Sequence, residues 1–151
     1  MRLDNVLYTL QHLAHQAEIE RRPLENILFY GPHHLSQKVF SYISTEMLLQ
    51  TKFVSAEDFT RPGDFVALLT HLKMRHILFV DEIHKLNQSV AAILSSVMAD
   101  YSIDMIIGNG AAAKNVRLKL AQITFLAATT QIRQIPQELQ MQFTQQFRLD
   151  I

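Results

Sequence analysis

The chain has 151 residues, 14 basic and 14 acidic side chains, a formal net charge of zero and no cysteine. This length supports one hydrophobic core and one domain, the balanced charge excludes a basic field that holds nucleic acid by itself, and the lack of cysteine excludes disulfides and thiolate metal sites. No apolar run approaches the roughly 20 residues that span a bilayer, and Met1 to Asn5 carry no leader core, so a cytoplasmic protein without a membrane partner is expected.

Val6, Leu10, Leu13, Ala14 and Ala17 recur at helical spacing and predict a helix over residues 3–20, closed by Arg21, Arg22 and Pro23. Residues 27–30 read as a buried strand and 36–49 as a helix with Val39, Phe40, Ile43 and Met47 inward. A short strand at 51–55 precedes Pro62 and Gly63, which open a helix over about 64–72. A fully apolar strand at 77–80 ends in Asp81 and Glu82, and a helix follows at 88–100. Residues 103–107 and 116–120 flank a glycine-bearing tip and predict a hairpin. A strand at 124–128, a short helix at 137–143 and a strand at 147–151 complete the pattern. Alternating strands and helices predict an α/β fold: three layers around a parallel five-stranded sheet, with the hairpin inserted.

Two segments carry chemical signatures. Tyr30, Gly31, Pro32, His33, His34, Leu35, Ser36, Gln37 and Lys38 stand between a strand and a helix, where a phosphate-binding loop belongs. Such a loop reads G-x-x-x-x-G-K-[ST]: its glycines let backbone N–H groups face phosphate, its lysine reaches the β/γ-phosphates and its hydroxyl holds Mg²⁺. Counted from Gly31, this chain puts Ser36 at the second glycine, Gln37 at the lysine and Lys38 at the hydroxyl. The second segment places Asp81 and Glu82 at the C-terminal end of a buried strand, where parallel sheets bind ligands. The plain alternative for this pair is a helix cap or turn.

On these residues the chain resembles the large ATPase domain of the RuvB family, the AAA+ motors of Holliday-junction branch migration. The likeness runs through 25–32, Arg61 to Phe65, the Asp81-Glu82-Ile83-His84 turn, the hairpin over 102–120, Ala127-Ala128-Thr129-Thr130 and Phe147-Arg148-Leu149-Asp150. It implies an AAA+ P-loop core over 1–151, without the helical lid or the winged-helix DNA-binding domain. It further implies a Walker B role for Asp81 and Glu82 and a sensor place at Thr129 or Thr130, while His84 matches the family and takes no special role.

The departures fall on nucleotide handling. His33 and His34 replace a Pro-Gly pair, Ser36 a glycine, Gln37 the lysine and Lys38 the threonine. Lys38 does not stand in for the lysine, because one helical residue turns a side chain by about 100°. The family's arginine finger falls on Gln140 and Gln142, and both arginines are gone. The resulting expectation is a catalytically inactive domain that binds no cofactor, leaves Asp81, Glu82, Thr129 and Thr130 as relics, and acts as a protein-binding module or regulator in junction repair. The alternatives are a true ATP-dependent, Mg²⁺-using motor subunit with an atypical P-loop, or a scaffold with an unrelated partner.

Partner binding is assigned to the hairpin, by which the resembled family docks on RuvA. Ile106, Ile107, Gly108, Gly110, Val116 and Leu118 are its candidate contacts, on a hairpin read as having two apolar faces. The expected partner is a RuvA-like protein or an active RuvB-like subunit. No direct DNA binding is expected, since Lys114, Arg117 and Lys119 make only a small cationic group. No metal is expected either: His12 and His15 share a helix face and His33 and His34 are adjacent, without a carboxylate or thiolate at matching spacing.

Overall fold

Five parallel strands form the centre of the molecule, and their order follows from which runs are apolar on both faces. The computed structural model describes residues 1–47 and 50–150. The sheet strands are β1 (Ile27–Tyr30), β2 (Thr51–Ser55), β3 (Ile77–Asp81), β6 (Thr124–Thr129) and β7 (Gln145–Arg148), in the spatial order β2-β3-β6-β1-β7. β3, β6 and β1 are therefore central, and they are also the strands without an exposed residue.

The period of two divides these strands between two cores. Ile27, Phe29, Ile77, Phe79, Leu126 and Ala128 face α1 (Leu3–Ile19) and α2 (His33–Glu46). Leu28, Leu78, Val80, Phe125 and Ala127 face α3 (Pro62–His71), α4 (Gln88–Asp100) and α5 (Gln137–Gln140). Phe29 and Phe79 stack with ring centroids 6.4 Å apart across the first core. Pro62 begins α3 at a position where its missing N–H costs nothing. Asn87 caps α4, its side chain accepting from the Val90 N–H at 2.9 Å.

Most elements fall where the periodicity puts them. The largest difference is α2, which starts at His33 instead of residue 36 and ends at Glu46. The Pro32 carbonyl accepts from the Leu35 and Ser36 N–H groups, so residues read as a loop form the first helical turn. The physical reason lies in positions 34 and 36: a phosphate loop has glycine there, and His and Ser resist the helix less than glycine by a few tenths of a kcal/mol each. Leu49 and Ile151, expected to end a helix and a strand, lie outside the described residues. The last helix stops at Gln140 and not at 143, and β7 begins at Gln145.

β4 (Ser102–Ile107) and β5 (Lys114–Lys119) pair antiparallel as a separate two-stranded sheet. Their register corrects the expectation of two apolar faces. Ile103 pairs with Leu118 and Met105 with Val116 on one side, whereas Asp104 pairs with Arg117 and Ile106 with Asn115 on the other. Opposed residues share a face, so one face is apolar and the other polar apart from Ile106.

Candidate functional site

The C-terminal ends of β3, β6 and β1 lie side by side, and each hands a turn to the same edge of the sheet. Gly31 follows β1 with φ +147°, donating its N–H to the Thr129 carbonyl at 3.1 Å. A Cβ there would stand 2.7 Å from the Leu149 carbonyl oxygen, so the close approach of these two segments requires glycine.

Asp81 closes β3, and its Oδ1 accepts from the Glu82 N–H at 3.0 Å. Burial pushes the Asp81 carboxyl above its ordinary range; His33 opposes that rise and the neighbouring Glu82 adds to it. Glu82 adopts the left-handed conformation, φ +51° and ψ +51°, which costs an ordinary residue about 1 kcal/mol. Its carboxylate is held at both oxygens: Oε1 accepts from the Thr130 N–H at 3.1 Å and Oε2 from the Thr130 hydroxyl at 3.0 Å.

Behind Glu82 lies the buried ring of His84. Its Nδ1 is 2.7 Å from the Thr129 hydroxyl and its Nε2 is 3.7 Å from Glu82 Oε2. The Thr129 hydroxyl joins two partners, accepting from the Gln131 N–H at 3.0 Å on one side and meeting His84 Nδ1 on the other. The resemblance implies no special role for His84 and offers Thr129 or Thr130 for the sensor place. In the structure both threonines are used, one on His84 and one on Glu82. The readable signal was a histidine two residues beyond the acidic turn.

The loop presents a different picture. Ser36 is buried, and its hydroxyl donates to the His33 carbonyl at 2.9 Å. The Gln37 amide nitrogen, at the lysine position, is 3.2 Å from His33 Nε2. Leu35 packs in the core with α1, while His34 and Lys38 are exposed. Beside the loop an open cleft of about 540 Å³ is lined by residues that include Tyr30, Gly31, Pro32, Thr130, Arg148 and Asp150. The donor atoms of His33, Asp81 and Glu82 all lie within 4.8 Å of one another. No carboxylate stands at metal-ligand spacing from these histidines in the sequence, and it is the fold that brings His33 to Asp81 and Glu82, far along the chain.

Tested against Mg-ATP, the group implied by the resemblance, the site divides. Its carboxylates suit a divalent ion. Its loop does not fit a triphosphate in the usual way, since the N–H groups of the first turn are drawn toward Pro32 and the lysine is missing.

Gln140 and Gln142 are not joined to this cluster. Gln140 Nε2 donates to Gln146 Oε1 at 3.4 Å, and the Gln142 N–H bonds the Leu139 carbonyl. On the hairpin, Ile106 is 74% exposed and Ile107 55% exposed, with Val116 also exposed and Leu118 partly covered. Gly108 and Gly110 both take positive φ at its tip. Arg117 is paired with Asp100, which withdraws one cation from this surface.

Residues 3–149 match the family described as the Holliday junction DNA helicase RuvB P-loop domain. The chain is 37% identical over 148 residues to the Holliday junction branch migration complex subunit RuvB of Thermomicrobium roseum, covering 97% of this chain and 42% of that protein. It is 40% identical over 130 residues to the subunit of the same name from Aliarcobacter butzleri, covering 85% of this chain and 38% of the relative. The chain thus spans about two-fifths of the length of these curated relatives. Among solved structures, Thermotoga maritima RuvB, described as a Holliday junction branch migration motor, superposes with a TM-score of 0.80 at 26% identity, covering 97% of this chain and 45% of that one. Its P216G mutant superposes with a TM-score of 0.82 at 27% identity, covering 98% and 46%.

These matches overturn the expectation of a catalytically inactive binding module. The relatives are named as branch-migration subunits and nothing in them indicates inactivity. The departures are individual side chains of the loop and finger, whereas the match runs through the whole sheet and its acidic turn.

Proposed function

Because the chain belongs to the RuvB family, whose P-loop domain it carries, we propose that it serves as an ATP-dependent motor subunit, with an atypical P-loop, of a Holliday-junction branch-migration complex in the cytoplasm. The observation that carries this reading is the set Asp81, Glu82, Thr130, His84 and Thr129, hydrogen-bonded at the C-terminal edge of the sheet. Strained residues held in place by their surroundings cluster at functional sites, and Glu82 is a left-handed residue held by both carboxylate oxygens.

In this reading Asp81 would hold the divalent ion that accompanies ATP, which supplies the phosphoryl group. Glu82 would orient water, kept in place by Thr130 on one side and His84 on the other. With Gln37 at the lysine position, the adjoining cleft carries Arg148, which pairs there with Asp150 at 3.2 Å. Gln140 and Gln142 supply no positive charge to a neighbour, so the proposed ring includes RuvB-like subunits that do. The exposed apolar face of the hairpin is the proposed seat of a RuvA-like partner.

The test is ATP turnover and strand exchange on junction DNA by the purified protein, mixed with a RuvA-like protein and with an arginine-bearing RuvB. Activity that rises with this chain and falls when it carries Asp81→Asn supports the proposal. Activity indifferent to the chain, or to that substitution, refutes it.

A further inference from the structure

We infer that His33, Asp81 and Glu82 form a binding site for a divalent first-row transition-metal ion, filled without nucleotide. The three donor atoms lie within 4.8 Å of one another. Around a tetrahedral ion with bonds of about 2.0–2.2 Å, neighbouring ligands stand roughly 3.4 Å apart, so the three groups need only a modest contraction.

The freedom for that contraction is unequally shared. Both carboxylates are fixed, Asp81 by the Glu82 N–H and Glu82 by Thr130. His33 is exposed on the first turn of α2 and is the group able to swing. Its ring contacts the Gln37 amide at 3.2 Å. Turned by 180°, that amide offers an oxygen to the ring N–H, an outer contact of the kind that fixes a metal-ligating histidine.

The donor set selects the ion. One imidazole nitrogen with two carboxylate oxygens suits zinc, cobalt or manganese, whereas magnesium prefers oxygen donors and keeps its waters. His33 enters only because α2 begins at that residue. The substitutions that remove the usual phosphate loop are thus the ones that bring a nitrogen ligand to the carboxylates. The inference goes beyond the motor reading and stands without it, because no phosphate takes part.

Full-length protein stripped with EDTA and titrated with CoCl₂ or ZnCl₂, without nucleotide, tests it by calorimetry and by cobalt absorption. One ion should bind per chain, and His33→Ala should weaken zinc binding by roughly tenfold or more. His12→Ala, on the separate α1 pair with His15, should leave the affinity unchanged. Absence of saturable binding, wild-type affinity in the His33→Ala protein, or a loss that follows His12→Ala would each overturn the inference. ATP turnover is measured separately, so a chain that hydrolyses ATP but ignores cobalt refutes the metal site alone.

Discussion

His84 Nδ1 lies 2.7 Å from the Thr129 hydroxyl, while the opposite ring nitrogen faces Glu82 Oε2 at 3.7 Å. One buried imidazole therefore ties the end of β6 to the acidic turn that follows β3. Replacing it with alanine removes the side-chain partner of the Thr129 hydroxyl and opens a void behind Glu82. His84→Ala is expected to lower unfolding free energy by about 2 kcal/mol, read from urea denaturation. An unchanged midpoint would show that the contact contributes nothing.

Two glycines separate close approach from open space. At Gly31 an added Cβ meets the Leu149 carbonyl oxygen at 2.7 Å with φ at +147°, whereas at Gly63 nothing lies within 4 Å. Gly31→Ala is expected to destabilise by more than about 1 kcal/mol, and Gly63→Ala, within α3, to stabilise by about 0.5–1 kcal/mol. Thermal melts of the two variants check the opposite signs, and shifts in the same direction would contradict the geometry.

The first turn of α2 invites a reversal. His34→Gly, Ser36→Gly, Gln37→Lys and Lys38→Thr together weaken that turn and restore a cation, with Asp81 and Glu82 left in place. The quadruple variant is expected to bind Mg-ATP at least roughly tenfold more tightly than the parent, since charge-assisted hydrogen bonds are worth about 1.5–3 kcal/mol each. Equal affinities by calorimetric titration would mean that the loop does not limit nucleotide binding.

Register assigns the hairpin residues different tasks. Ile107 shares the apolar face with Met105 and Val116, while Ile106 lies on the polar face opposite Asn115. Ile107→Asp should weaken capture of a RuvA-like partner at least tenfold, Ile106→Asp much less. Both should melt like the parent, because both side chains are exposed. Equal losses in a pull-down would refute a one-faced interface.

Tyr101 gives an alkaline signature. It ends α4 in a left-handed conformation, and burial raises its hydroxyl above the usual value. A raised folded-state pKa means that its contribution is complete below the unfolded value of about 10 and is lost as pH climbs through the folded one. Tyr101→Phe should therefore lose less stability than the parent between about pH 9 and 11. Parallel pH profiles of melting temperature would exclude this.

The strands and most helices were legible in the sequence because the signals that set them are local. Runs such as residues 77–80 are apolar on both faces, and the residues between strands repeat at helical spacing. Composition likewise settled the absence of thiol chemistry, and the acidic end of β3 was readable as the site's edge. The start of α2 was not, since the loop pattern and the helix preference of His34 and Ser36 compete over the same few residues. Nor was the face of the hairpin, where a shift of one residue exchanges the two sides. The contact of His84 with Thr129, and the proximity of His33 to Asp81 and Glu82, join residues that sheet order brings together. Tertiary structure decided them, because the parallel crossovers align the ends of β1, β6 and β3 regardless of their distance along the chain.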